Sequence, residues 1–489
     1  EWLYMKTKSL TPQAAVAALN KEYETAVAAL SKALQAYVQS RKTPSAAERK
    51  KFRYPQLVVT HSGNGIQPNV ARAYAKFQAP GVYSTTVTHP MAFARYLEEQ
   101  LTHLQRDYQA RIEVRPSTQE IPYPYILQPR DELVSGSVSA AELALHFPGS
   151  QCAVVCDEVA DGWWEPHRSS DFALALFDAV QVDYSLKRLQ HYSGADWRFF
   201  RPWILLSNYH RYVDQFQNWA VEQLSRDGTY EALYLPGGGT ITRSTTKVEA
   251  ATLIEGSLWH KYQMPAYHLS RTDGAGGITL VNIGVGPSNA KTMTDHLAVL
   301  RPNCWLMIGH CGRLRQSQRI GDYVLAHAYL RHDHILDAIL PPEIPIPALA
   351  EVQVALQQAT AAVTGETGDA LKARLRTGTV MTHDDRNWEL RWTKERKSIN
   401  LSRAIAIDME SGTLAAQGYR FRVPYGPLLC VSDKPLHGEI KLPGSANAFY
   451  DRAAGEHLMI GISSLELLRS IKGSLHSRKL RSFDEPPFR

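Results

Sequence analysis

At 489 residues, 44% of them hydrophobic and 21% charged, the chain is too long for one ordinary core and has the composition of a folded protein of two domains. Its apolar runs fall short of the roughly eighteen residues a membrane span needs, and its start, Glu1-Trp-Leu-Tyr-Met5, lacks the pattern of a secretory leader. A cytoplasmic location without membrane contact is therefore expected, with Met5 read as the natural first residue. The net charge of +6 is spread out, which speaks against a dedicated nucleic-acid surface and suits a small anionic substrate.

The first predicted element is a helix capped by Thr11, with Pro12 in its first turn and apolar positions to about Val38. A basic polar segment, Gln39 to Arg53, follows. Strand patterns then appear at Leu57–Thr60 and Val82–Thr88, with an amphipathic helix from Met91 to Tyr108. Alternating prolines make Ile121-Pro-Tyr-Pro-Tyr125 a rigid extended segment, neither helix nor central strand. This half reads as an α+β domain of residues 1–185 without a catalytic constellation. The border is placed in the polar stretch Ser185 to Arg201.

From Trp203 onward strands and helices alternate, which predicts an α/β domain over residues 186–489: a central mixed, mostly parallel sheet flanked by helices. Trp203–Leu206 leads into a helix around Tyr212 to Leu224. Ile278–Ile283 leads through Gly284-Val-Gly286-Pro-Ser288 into a helix to Leu300. Cys304–Ile308 leads into Gly309-His310-Cys311-Gly312, read as a second glycine turn. Tyr323–Ala326 and Gly378–Met381 are further strands, Gln357 to Asp369 a surface excursion, and Ala446 to Ile471 a closing helix.

Two short apolar runs stop at acids: Ala404-Ile-Ala-Ile-Asp408-Met-Glu410-Ser, and Leu428-Leu-Cys-Val-Ser-Asp433-Lys. In open α/β sheets ligands bind at the carboxyl ends of strands. Two carboxylates delivered there equip a site to cleave a glycosidic bond, one holding sugar hydroxyls and one protonating the leaving group. The plainer readings are that Glu410 is a first-turn helix acid and Asp433 a turn cap before Pro435. Occurrence of both at equivalent places on successive strands favours function. The glycine turn with Gly286 and Ser288 can bind an anion at a helix start, with Ser288 as cap, although it lacks the third glycine of a dinucleotide fingerprint. Gly309 and His310 line the adjacent turn, His437 is a further candidate, and Trp388 either stacks a base or anchors the core. Cys152, Cys156, Cys304, Cys311 and Cys430 are read as reduced thiols, and no metal site is expected. The basic tail Lys472 to Arg489 reads as a solvated terminus or an oligomer contact.

Four segments carry a resemblance: Val281-Asn-Ile-Gly-Val-Gly-Pro-Ser-Asn-Ala-Lys291, Trp305-Leu-Met-Ile-Gly-His-Cys-Gly312, Ile407-Asp-Met-Glu-Ser411 and Val431-Ser-Asp-Lys-Pro-Leu-His-Gly-Glu-Ile-Lys441. With Ile121–Tyr125 and Glu485-Pro-Pro-Phe-Arg489, they resemble the bacterial AMP nucleosidases along nearly the whole chain, and the second half is similar to the nucleoside phosphorylases. The resemblance implies hydrolysis of AMP to adenine and ribose 5-phosphate, with Asp433 as acid to purine N7, Glu410 on the ribose 2′ and 3′ hydroxyls and Met409 packing the sugar. It implies a homo-oligomer, expected as a hexamer. It also implies activation by ATP with Mg, inhibition by phosphate, and a regulatory or assembly role for the first domain, with no covalently bound cofactor. Where phosphorylases hold their attacking phosphate with an Arg and a Ser, this chain has Met307 and His310, and a thioether cannot replace a guanidinium. Arg313 departs from the nucleosidase pattern, which has glycine there. Candidates for the 5′-phosphate are Arg211, Arg243 and the Gly237–Gly239 loop. A nucleoside phosphorylase and a non-catalytic nucleotide sensor are the alternatives, with nucleic-acid binding a distant third.

Overall fold

The computed structural model describes residues 9–64, 69–70, 72, 74–77, 79–127, 138–149, 172–174, 178–226, 228–274, 276–437, 447–471 and 475. Cys152, Cys156 and most of the basic tail lie outside them, as does the side chain of His437. The chain divides between Lys187 and Arg188 into two compact units. That division falls within the helix Ala179–Ser193, so the polar stretch read as a border is helical for much of its length. Among the described residues no helix is long and apolar enough to cross a membrane.

In the first unit the Thr11 hydroxyl accepts from the Ala14 N–H and Pro12 opens a helix that runs to Ser40. Strands β1 (Arg53–His61), β2 (Gly81–Thr86), β3 (Arg111–Glu120) and β4 (Phe172–Ala173) form a sheet in the order β3-β1-β2-β4. One end of the long helix buries Ala15, Val16 and Leu19 with Leu57 and Val59 of β1; further along, Leu30, Leu34 and Tyr37 pack with Phe52 and Tyr54. The proline-rich segment is not fully extended: Tyr123–Tyr125 makes one 3-10 turn, which the fixed φ of Pro124 accommodates.

In the second unit, the described strands are β5 (Trp203–Ser207), β6 (Tyr230–Tyr234), β7 (Thr240–Thr242), β8 (Ala266–Arg271), β9 (Gly277–Asn282), β10 (Cys304–Arg313), β11 (Tyr323–His332), β12 (Leu375–His383), β13 (Ala406–Asp408) and β14 (Tyr425–Asp433). Their order is β13-β12-β11-β14-β10-β5-β9-β8-β6-β7, and β13 also pairs with β10. The mixed sheet is parallel along β14-β10-β5-β9 and along β11-β12-β13. It is antiparallel in the β8-β6-β7 margin, at β8–β9, at β11–β14 and where β13 meets β10. Strand β5 is buried throughout, as the centre of a helix-covered sheet requires.

Two expectations change. The segment read as a surface excursion belongs largely to the helix Ala350–Thr364, which buries Val352, Ala355, Leu356, Ala359 and Thr360 at helical spacing. An added Cβ on Gly426 would lie 2.6 Å from Val352 and 3.3 Å from Leu356, so the helix packs directly on β14. Alanine-rich sequence is good helix former, and its burial here outweighs the loop-like composition. Likewise, Gly309–Gly312 is no turn. Strand β10 continues to Arg313, because β14 pairs with it as far as Gly312 and β13 takes up Gly312 and Arg313 from the other side.

Candidate active site

Strand β13 ends at Asp408, whose carboxylate organises the turn that follows. It accepts from Thr382 Oγ1 at 2.7 Å, from the Ser411 N–H at 2.7 Å and from the Glu410 N–H at 3.4 Å. The helix Ser411–Phe421 begins immediately, with Glu410 at its N-cap position. The plain reading of Glu410 as a helix-start acid predicts a side chain that caps its own helix. Instead the carboxylate turns away. Its Oε1 accepts the Gly286 N–H at 2.7 Å and its Oε2 accepts Asn208 Nδ2 at 3.1 Å, linking three chain segments. Met409, half-buried, lies in the turn between the two acids.

Strand β14 ends at Asp433, half-buried, with Oδ1 accepting from Ser432 Oγ at 2.9 Å. Gly312 of β10 pairs with Asp433 on one side and with Ile407 on the other. A Cβ added to Gly312 would come within 3.3 Å of Ile407 and 3.4 Å of Pro435, so glycine lets the two acid-bearing strand ends close on β10. The structure thus brings Asp433 and the Asp408–Glu410 turn to one end of the same strand.

The other predicted residues divide by role. Gly286 has φ +117° and its N–H is spent on Glu410, so it positions an acid and does not cradle an anion. Ser288 is not the cap: Gly286 occupies that position, Pro287 opens the helix Pro287–Leu297, and Ser288 is exposed in its first turn. Gly309 leaves room for its neighbours, since an added Cβ would lie 2.7 Å from Met307 Cε and 3.1 Å from Asn208 Oδ1. His310 is buried among aromatic rings, 4.6 Å from Tyr209, 5.7 Å from Tyr212 and 5.8 Å from Tyr450 between centroids. Tyr450 donates to the Ser432 carbonyl at 2.9 Å, and the Arg211 guanidinium lies 5.6 Å from the Tyr450 ring while pairing with Asp451 at 2.9 Å. Arg211 therefore reaches the Asp433 strand end through one tyrosine.

Trp388 sits elsewhere. At 6% exposure it packs with Leu314, Met381, Ile399 and Ile407, which makes it a core anchor behind β13 and leaves no open face to stack a base. The Gly237–Gly239 loop closes the β6–β7 hairpin at the sheet margin. There Gly237 N–H donates to Gly194 and Gly238 N–H to Leu235, so neither is available to a phosphate. Arg243 lies against Gly228. Arg313, 3% exposed and outside the positive-φ residues, donates to the Gln316 carbonyl, so its side chain is accommodated without backbone strain. Asn208 and Tyr450 were not singled out from sequence. Asn208 carried a legible signal, a short polar side chain directly after the apolar strand β5.

Burial pushes the Glu410 carboxyl up to about 8, with the nearby Asp408 charge adding to the rise, and burial raises Asp408 as well. Unfolded, both ionise in the ordinary carboxylate range near ~4. The folded chain therefore binds more protons between that range and about pH 8, and stability is expected to fall as pH rises through this window. Melting temperatures across that range should show the decline, and Glu410→Gln should flatten it. An unchanged slope in the variant would remove Glu410 as its source.

Comparison with known proteins places one match in each unit. Residues 14–171 match the family described as bacterial AMP nucleoside phosphorylase N-terminus, and residues 261–463 match the phosphorylase superfamily. The second unit is thus a phosphorylase-superfamily domain. The AMP nucleosidases of Escherichia coli K12 and O157:H7 are each 56% identical to this chain over 487 residues, 99% of both chains. This chain belongs to the AMP nucleosidase family. Solved structures similar to it include an AMP nucleosidase from Bacteroides thetaiotaomicron, 27% identical over 59% of this chain and 98% of that one, with TM-score 0.43. A purine nucleoside phosphorylase from Toxoplasma gondii, 15% identical, covers 55% and 92% with TM-score 0.38.

Proposed function

We propose that this protein hydrolyses the N-glycosidic bond of AMP, giving adenine and ribose 5-phosphate. Asp433 protonates purine N7 as the base leaves, Glu410 holds the ribose 2′ and 3′ hydroxyls, and Met409 packs against the sugar. The observation that carries this reading is the Glu410 carboxylate, turned from its own helix and held by Gly286 and Asn208 beside the strand end that bears Asp433. Cleavage passes through an oxocarbenium-like state, in which a carboxylate at the sugar stabilises positive charge and an acid at the base neutralises the departing electrons. Met307, buried against Gly309 and Asn208, puts a thioether where a phosphorylase keeps a guanidinium. Phosphate is thereby disfavoured as the nucleophile and water takes its place.

The 5′-phosphate is assigned to Arg211, whose guanidinium is partly exposed beside Tyr450. Binding that distant group orients the ribose, so adenosine should lose turnover as well as affinity. A homohexamer acting in the cytoplasm, activated by ATP with Mg and inhibited by phosphate, completes the reading on the strength of the family resemblance. The test is product analysis of AMP incubated with the protein and no inorganic phosphate, repeated with ATP and Mg and then with phosphate. Adenine and ribose 5-phosphate in equal amounts are expected, faster with ATP and slower with phosphate. Adenine release that required phosphate would make the protein a phosphorylase, and AMP binding without product would make it a sensor.

A further inference from the structure

His332 ends β11 and His383 ends β12, and the two strands run parallel with these residues in register. Both imidazoles therefore leave the same sheet end side by side. Glu395, in the first turn of the helix Trp392–Ser402, comes to meet them and is only 5% exposed. Its Oε2 lies 3.4 Å from His332 Nδ1 and 3.6 Å from His383 Nε2, and the three donor atoms lie within 4.8 Å of one another. We propose that His332, His383 and Glu395 form a binding site for one divalent transition-metal ion of the zinc type.

The spacing is looser than that of a tightly hydrogen-bonded triad and leaves room for an ion. Good charge-assisted hydrogen bonds bring nitrogen and oxygen to about 2.7–2.9 Å. Ligand atoms on a tetrahedral zinc with bonds of about 2.0–2.1 Å stand about 3.3 Å apart. The observed 3.4 and 3.6 Å gaps between Glu395 and each imidazole are close to the second value, and the two imidazole nitrogens, within 4.8 Å of each other, would draw together on an ion. Two imidazoles and one carboxylate select zinc and its neighbours over magnesium or calcium, which favour all-oxygen cages.

The proton inventory is compatible with metal entry. The Asp385 N–H donates to His383 Nδ1 at 2.9 Å, which puts the ring proton on Nε2. A metal on Nε2 displaces that proton; the neutral ring then carries it on Nδ1 only once the Asp385 N–H gives up its contact there, with Asp384 Oδ1, 3.3 Å away, as the new acceptor. A carboxylate behind a ligating histidine is the usual support for such a ring. No ligand spacing in the sequence points to this site, because Glu395 and the two histidines come together only through strand pairing.

The ion would hold structure beside the active site. Thr382, next to His383, donates to Asp408 at 2.7 Å, and Asp333, next to His332, accepts from Thr413 Oγ1 at 2.5 Å. A metal would clamp β11, β12 and the helix Trp392–Ser402 behind the turn that presents Glu410.

The full-length protein is stripped with a chelator, incubated with zinc chloride and dialysed, and bound zinc is measured by mass spectrometry. Wild type is expected to retain one ion per chain and to gain melting temperature with zinc; Glu395→Gln and His383→Ala are expected to do neither. Cobalt in place of zinc should give the visible bands of a nitrogen and oxygen site without thiolate charge transfer. Failure of wild type to retain zinc overturns the proposal whatever the variants do. So does equal retention by folded Glu395→Gln, or a thiolate signature, which would assign the metal to cysteine.

Discussion

Asp433→Asn is expected to lower kcat for adenine release from AMP by ~10²–10⁴-fold, the range a positioned general acid contributes. The variant should fold normally. Asparagine has the same shape, the side chain is half-buried at a strand end, and its amide oxygen can still accept from Ser432 Oγ, which now lies 2.9 Å away. On the proposed mechanism, what is lost is the proton given to N7 as the C1′–N9 bond opens, an interaction made mainly in the transition state. The loss should therefore fall on kcat and leave KM for AMP nearly unchanged. Steady-state kinetics with AMP, alongside circular dichroism, make the check; near wild-type turnover in a folded variant would exclude Asp433 as the acid.

The second large effect is expected at Glu410. Glu410→Ala removes the proposed acceptor of the ribose hydroxyls and strands two donors, the Gly286 N–H and the Asn208 amide, in a buried site where Glu410 itself is 1% exposed. Each unsatisfied buried donor costs about 1–3 kcal/mol, so this variant mixes lost stability with lost chemistry. Glu410→Gln separates the two. Among the described residues Asn208 Oδ1 has no hydrogen-bond partner, so a flip of that amide would let it accept from the new Gln NH₂ while the Gln oxygen keeps the Gly286 contact. The fold should survive, yet an amide, unlike a carboxyl that can release its proton as the ribose becomes cationic, can neither accept from both hydroxyls nor stabilise that charge. A fall in kcat/KM on the order of 10²–10³-fold is expected, equivalent to several kcal/mol of transition-state binding. Comparing the melting temperatures and rates of the two variants checks it. A folded Glu410→Gln enzyme with unimpaired kcat/KM would sever Glu410 from the ribose.

Much of this site was legible because it sits where short apolar runs stop. Asp408, Glu410 and Asp433 needed only strand periodicity and the rule that α/β sheets present ligands at carboxyl ends. What periodicity could not separate was Asp408 from Glu410: one ties down the turn through Thr382 and Ser411, the other points into the site, and only their partners reveal which. Gly309 and Gly312 were read as turn residues because glycine commonly marks turns. Here they permit close packing inside a strand, next to Met307, Asn208, Ile407 and Pro435, none of which is a local neighbour except Met307. The β6–β7–β8 margin was missed because its strands are short and its pairing joins segments on either side of the helix Lys247–Glu255. Trp388 had two readings in sequence, and burial against Met381 and Ile407 decides for the core.

Strand β13 is only three residues long, and such a strand with a single neighbour would fray. It is stitched on both flanks, parallel to β12 through Val380–Thr382 and antiparallel to β10 through Gly312 and Arg313. Loosening it means breaking two ladders at once, so the amide protons of Ile407 and its neighbours should exchange with solvent as slowly as those of far longer strands. The entropy of arranging the turn that presents Glu410 is then spent while the polypeptide folds, and on the proposed mechanism a nucleotide arriving later meets a rigid fixture.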